Sequence, residues 1–154
     1  MIALKLWRAS MWCHRHRLRL PARLIKSLLF LGFGALLEPE VELKGHVNFA
    51  HRGLGVVIHG STTLGDWVQI WQYVTIASNN DKADRATTGV RVGREVVIGA
   101  HALIMCATGR TLTIGDGAII GAGAIVVDDV PAGAVVLPEP SRVRTPQAPA
   151  TVEA

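Results

Sequence analysis

Large apolar residues return every six positions over most of this chain: Leu43 and Phe49, then Ile58, Leu64, Ile70 and Ile76, then Val92, Ile98 and Ile104, then Ile114, Ile120 and Val126. Five of the twelve are followed by glycine, at Gly65, Gly93, Gly99, Gly115 and Gly121. Two positions earlier most rungs carry a small or β-branched residue: Thr62, Val68, Val74, Val90, Val96, Ala102, Ala118 or Ala124. In an extended strand, positions i and i−2 share a face, so a turn after each short strand returns the next aliphatic residue to one interior. A helix, with its period of 3.6, does not satisfy this pattern. The expected architecture is mainly β, a triangular solenoid built from three hexapeptides per coil, with glycine supplying the backbone angles of tight corners.

The breaks in the period mark where the chain leaves the coil. One falls between His51 and Ile58. A second, "ASNNDKADRATTG" from Ala77 to Gly89, is polar and aperiodic and is expected to protrude. A third is the ten-residue step from Ile104 to Ile114. "VPAGAVVLPEPSRV" closes the last coil. The predicted organisation is a helical arm over 1–37, a solenoid over 38–143 and a flexible Pro-rich tail over 144–154.

At 154 residues the chain suits one core, and its 5% aromatic content means that aliphatic side chains must build it. The net charge of +4 is unevenly spread. Residues 1–37 hold seven Lys or Arg and no acid, so the remainder, with nine basic and twelve acidic residues, nets −3. The basic balance therefore belongs to the arm and does not indicate a nucleic-acid-binding domain. Cys13 and Cys106 have no metal-ligand spacing and read as free thiols of a reducing, cytoplasmic compartment.

The arm interleaves cations with Trp7, Trp12 and leucines and becomes mostly apolar from Leu24 to Leu37. Lys26 and the short apolar run argue against a membrane span, which needs roughly 20 apolar residues. Two helices broken near Pro21 are expected. They would lie on an anionic membrane surface at its inner face, or pack on protein.

"HRGLGVVIHGSTTLGDWVQIWQYVTI", a polar loop, "VRVGREVVIGAHALI" and "IGDGAIIGAGAIVVDDVPAGAVV" together resemble the hexapeptide-repeat acyltransferases. The likeness is to the serine acetyltransferase branch, including its relatives in polysaccharide biosynthesis, and covers residues 39–143. It implies a left-handed parallel β-helix, a homotrimer or dimer of trimers, acetyl-CoA as co-substrate and no metal. His51 matches the family's catalytic base. An imidazole, with an ordinary pKa of roughly 6.5, accepts a hydroxyl proton at neutral pH as the oxygen attacks a thioester. The resemblance also assigns coenzyme A contacts to Ala77, Gly99, Ala100, Gly121, Ala122 and Arg142. It assigns acceptor contacts to Asp84 and Arg85. His59, at a corner after an inward Ile58, is expected to be structural or to line the substrate, and His101 is expected to face solvent.

Three positions depart from the serine acetyltransferase pattern. Ala50 stands where an Asp precedes the catalytic His, "DRA" at Asp84 to Ala86 replaces "DRH", and Leu36 occupies the place of the orienting carboxylate, leaving Glu38 as the nearby substitute. These losses shift the expected acceptor from serine to a sugar hydroxyl on a glycan or lipid-linked intermediate, with serine as the alternative. "GHVNFAHRG" also resembles part of the zinc triad of γ-class carbonic anhydrases through His46 and His51, a rival in which zinc would need three protein ligands. An inactive scaffold is the third reading.

Overall fold

The computed structural model describes residues 2–79 and 88–139. Among these residues two helices, α1 (Ile2–Arg15) and α2 (Arg19–Phe33), precede fourteen short strands. These are β1 (Leu36–Leu37), β2 (Glu42–Leu43), β3 (Val47–Phe49), β4 (Val57–Ile58), β5 (Thr63–Leu64), β6 (Val68–Ile70), β7 (Thr75–Ser78) and β8 (Gly89–Val92). They continue as β9 (Val97–Ile98), β10 (Leu103–Cys106), β11 (Thr111–Ile114), β12 (Ile119–Ile120), β13 (Ile125–Val126) and β14 (Val135–Val136).

Every pairing is parallel and joins strands one coil apart. Three sheets result: β1-β4-β7-β10-β13, β2-β5-β8-β11 and β3-β6-β9-β12-β14, here called the first, second and third faces. They form a left-handed parallel β-helix. Register places Ile58, Ile76, Ile104 and Val126 in one row, Leu64, Val92 and Ile114 in the next, and Phe49, Ile70, Ile98 and Ile120 in the third. All eleven are buried, as are the eight residues two positions earlier; only Leu43 of the predicted rows is half-buried. Each fully buried aliphatic side chain contributes about 1.5–3 kcal/mol relative to exposure.

The role expected of the glycines is corrected. None of Gly65, Gly93, Gly99, Gly115 and Gly121 adopts a left-handed φ. The positive φ falls two residues later, at Trp67, Glu95, His101, Gly117 and Gly123. The corners from Gly99, Gly115 and Gly121 close with an i+3 to i hydrogen bond, as in Ala102 N–H to Gly99 O at 3.2 Å, which with that φ makes type II turns. The glycines are needed for space. A Cβ on Gly99 would stand 2.6 Å from Ala122 N, and one on Gly121 2.9 Å from Val136 O, because successive coils stack directly.

The second break is also narrower than its sequence suggests. Ala77 and Ser78 continue β7, paired with Met105 and Cys106, and Gly89 opens β8 opposite Thr111. The long step at the third break arises because β10 and β11 are each four residues.

The helices break at His16–Leu18, and Pro21 sits in the first turn of α2, where its missing N–H costs nothing. On α1, Ala3, Trp7, Ser10 and Met11 recur at helical spacing and are buried. Ser10 Oγ donates to Ala22 O at 3.1 Å, tying α1 to α2. Trp7 Nε1 donates to Glu38 O at 2.9 Å and its ring meets Phe49 at 5.7 Å. Trp7 and Leu29 thus join the same core as the first coil, closing the end of the β-helix. Gly34, at φ 62°, caps α2. No helix among the described residues is long and apolar enough to cross a membrane. Cys13 and Cys106 are both free and buried.

Candidate active site

Three edges run along the β-helix, and the edge between the third and first faces carries His51. The first coil uses seven residues there, 50–56, where the next uses four, 71–74. The extra length forms a loop in which His51 (φ 47°), Arg52 (φ 63°), Gly53 and Gly55 all take left-handed conformations. Consecutive non-glycine residues in that region carry about 1–3 kcal/mol of strain each and persist where the surroundings impose them. The surroundings do so here. Gly55 N–H donates to Phe33 O at 2.9 Å, Tyr73 N–H to Leu54 O at 2.9 Å, and Leu36 N–H to Val56 O at 2.9 Å. The helical arm and two strands therefore pin the loop, and the His51 ring projects at the surface, 5.8 Å from the Trp71 ring. No hydrogen bond fixes the imidazole among the described residues.

Register stacks four turns on this edge. Below the His51 loop come Trp71-Gln72-Tyr73, then Gly99-Ala100-His101, then Gly121-Ala122-Gly123. Gly99, Ala100, Gly121 and Ala122 are thus brought together in line with His51. The backbone N–H groups of Gln72, Ala100 and Ala122, the second residue of each turn, donate to no acceptor among the described residues. Small side chains beside unpaired donors make a ledge that a carbonyl or phosphate oxygen can approach. Ala77 lies on the outer side of the first face, at the far end of β7 from this edge. Arg142, Asp84 and Arg85 lie outside the described residues.

Two sequence candidates are not gathered at the His51 edge. Glu38 places its carboxylate 2.6 Å from Lys26 Nζ on α2, and no hydrogen bond joins it to His51. It anchors the arm. His59 sits across β4, on the edge between the first and second faces, where Nδ1 meets Ser61 Oγ at 2.9 Å. His46 is separated from His51 by β3 and stacks on Trp67 at 4.9 Å, so the H-x4-H spacing does not form a chelate within the chain. Among the described residues no three His, Cys, Asp or Glu side chains stand together as a metal site.

Sequence reasoning passed over Trp71 and Tyr73 and left His101 as a plain solvent-facing residue. His101 is exposed, yet its ring stacks on Tyr73 at 4.8 Å and 18°. The signal was available in the repeat itself, since aromatics occupy turn positions that later coils give to Gly or His.

No family model matches the chain. Curated relatives do. A serine acetyltransferase of Synechococcus elongatus is 32% identical over 141 residues, covering 92% of this chain and 55% of its own length. One from Helicobacter pylori is 32% identical over 136 residues, covering 88% of this chain and 75% of its own. Among solved structures, soybean serine acetyltransferase complexed with serine superposes with a TM-score of 0.77 at 28% identity, over 91% of this chain and 55% of that one. Neisseria gonorrhoeae serine acetyltransferase gives 0.78 at 26%, over 94% and 54%. The chain thus spans about half the length of several of the proteins it matches.

Proposed function

This chain belongs to the serine acetyltransferase family, and on that premise we propose that it moves an acetyl group from acetyl-CoA to an acceptor hydroxyl with His51 as general base. The observation that carries the reading is the coincidence, on one edge, of a histidine held in a strained, pinned loop and a ledge of unpaired N–H groups. The imidazole takes the hydroxyl proton as the oxygen attacks the thioester carbon. The C–O bond forms, the tetrahedral oxyanion collapses with cleavage of the C–S bond, and the leaving sulfur takes the proton from the imidazolium to depart as coenzyme A. An unpaired turn N–H is suited to hold the oxyanion. Gly99, Ala100, Gly121 and Ala122 offer the coenzyme its ledge, with Ala77 and Arg142 as further contacts.

The names of the relatives support serine as acceptor better than a sugar. A sugar hydroxyl remains the second reading because Ala50 and Leu36 remove two carboxylates and Glu38 is paired with Lys26. Thioester cleavage measured with serine and with nucleotide sugars, for the protein and for His51→Ala, tests the reading. Unchanged turnover in the variant refutes it.

Assembly as a trimer or dimer of trimers is supported by apolar residues on the outside of two faces, Ile125 on the first and Ile119 and Val135 on the third; sedimentation velocity measures it. Contact of the arm with an anionic membrane is supported by Leu20, Leu24, Leu28 and Leu31. These are exposed in one row on α2, within a segment of seven cations and no acid. Binding to phosphatidylglycerol vesicles that falls on raising salt and on Leu24→Glu is the expected result; equal binding to neutral vesicles opposes it.

A further inference from the structure

The turn beneath His51 is where this coil departs from its own repeat. Trp71 stands in register with Gly99 and Gly121, and Tyr73 with His101 and Gly123. Tyr73 holds φ 58°, a conformation that costs a side-chain-bearing residue about 1–2 kcal/mol and glycine almost nothing. Its ring is fixed between two neighbours. On one side it lies on Gly55, where any Cβ would collide with it, and on the other it stacks on His101 at 4.8 Å. Trp71 is 36% exposed and Tyr73 46%. In the coil below, the residue in register with Trp71 is Gly99, which has no side chain to cover the indole. Leu54, also exposed, belongs to the His51 loop. The phenol oxygen of Tyr73 has no hydrogen-bond partner among the described residues, and Gln72 Oε1 is buried without one.

Resting on the reading of His51 as the base of an acetyl transfer, we propose that Trp71 and Tyr73 form the acceptor subsite, and that the acceptor presents a pyranose ring. A pyranose has an apolar C–H face that packs on an indole and hydroxyls at its rim that meet polar groups; Tyr and Trp combine an apolar body with one polar handle in the same way. A free amino acid asks in addition for a carboxylate facing its ammonium group, and none stands beside His51 among the described residues. Glu38, the carboxylate the sequence offers, lies across the first face from this edge and is paired with Lys26. The wall beside His51 is instead aromatic and aliphatic. The pyranose hydroxyl nearest His51 loses its proton to the imidazole, bonds to the acetyl carbon, and leaves an O-acetylated sugar and coenzyme A.

Saturation-transfer NMR with the methyl α-glycosides of glucose, galactose and mannose, and with L-serine, reads binding directly. Thioester cleavage with the same compounds reads transfer. At least one glycoside is expected to receive saturation on its ring protons. In Trp71→Ala its affinity falls about tenfold or more, the KM for it rises in step, and Trp71→Phe restores most of both. Coenzyme A affinity by calorimetry stays the same, which shows that the variant is folded. Tyr73→Phe, which keeps the ring and removes the hydroxyl, has a smaller effect in the same direction. The proposal is overturned if no glycoside binds, or if one binds equally to Trp71→Ala, or if serine is acetylated with a KM indifferent to Trp71. Failure of the transfer reading looks different: glycoside binding that depends on Trp71 persists while neither acceptor discharges acetyl-CoA.

Discussion

Two edges of the β-helix use similar turns and front them with different side chains. On the edge between the second and third faces, carboxylates of one coil close the backbone donors of the coil above. Asp66 Oδ1 accepts from His46 N–H at 2.6 Å and Trp67 N–H at 3.0 Å, and Asp116 Oδ1 accepts from Arg94 N–H at 2.7 Å. The Arg94 side chain adds two hydrogen bonds to Asp116 Oδ2. On the His51 edge no carboxylate fronts the turns of Gln72, Ala100 and Ala122; their second-residue N–H groups are open among the described residues, as are those of Asp66 and Asp116 on the other edge, so the edges differ in the side chains that stand before the donors. Open donors flanked by small side chains beneath a strained histidine make the His51 edge the one an anionic ligand can approach, whereas exposed carboxylates line the other, here called the closed edge, and repel such a ligand.

Replacing His51 with Ala is the sharpest way to break this contrast. Turnover is expected to fall about 10²–10⁴-fold with an unchanged circular dichroism spectrum, whereas His46→Ala, on the closed edge, leaves turnover in place. The glycines come next. Gly65→Ala and Gly99→Ala both force a methyl group into the next coil and are expected to lower urea-unfolding stability by about 1–3 kcal/mol. Only Gly99→Ala also weakens coenzyme A binding by calorimetry; equal effects on binding would erase the distinction between the edges.

Ala122→Pro is the finer test of the open donors. Proline suits the second position of a type II turn, so the fold is retained while one N–H is lost. Coenzyme A affinity should drop by about 0.5–1.5 kcal/mol, a few-fold, and the unfolding midpoint should not.

The smallest effect belongs to the closed edge. Hydrogen bonds from the backbone N–H of His46 and of Arg94 hold the Asp66 and Asp116 carboxyls below the ordinary carboxylate range. Groups depressed in the folded state stabilise it above their unfolded pKa, roughly 3.9, and lose that contribution as pH falls through the folded values. Thermal unfolding followed from pH 7 to pH 2 should show Asp116→Asn slightly less stable above pH ~4, the difference from the parent closing below it.

The interior was legible in the sequence because one rule repeats. An aliphatic residue every six positions, with a small one two before it, suffices to set strand, face and inward row from Ile58 to Val126. The same period hid what the glycines do, since a sequence shows that Gly65 or Gly99 is constrained without showing whether angle or space constrains it. His51 stood out as an irregularity, but its partners did not. Glu38 lies thirteen residues away in sequence and was a reasonable companion for it; in the folded chain Lys26 holds its carboxylate.

By itself, then, the sequence determined the solenoid, its register and the place where the coil is interrupted, because each depends on local periodicity alone. Only the tertiary structure decided which residues share an edge. Side chains about twenty residues apart become neighbours when coils stack, so the alignment of His51, Trp71, Ala100 and Ala122, and the separation of His46 and His59 from them, follow from the number of residues each turn consumes.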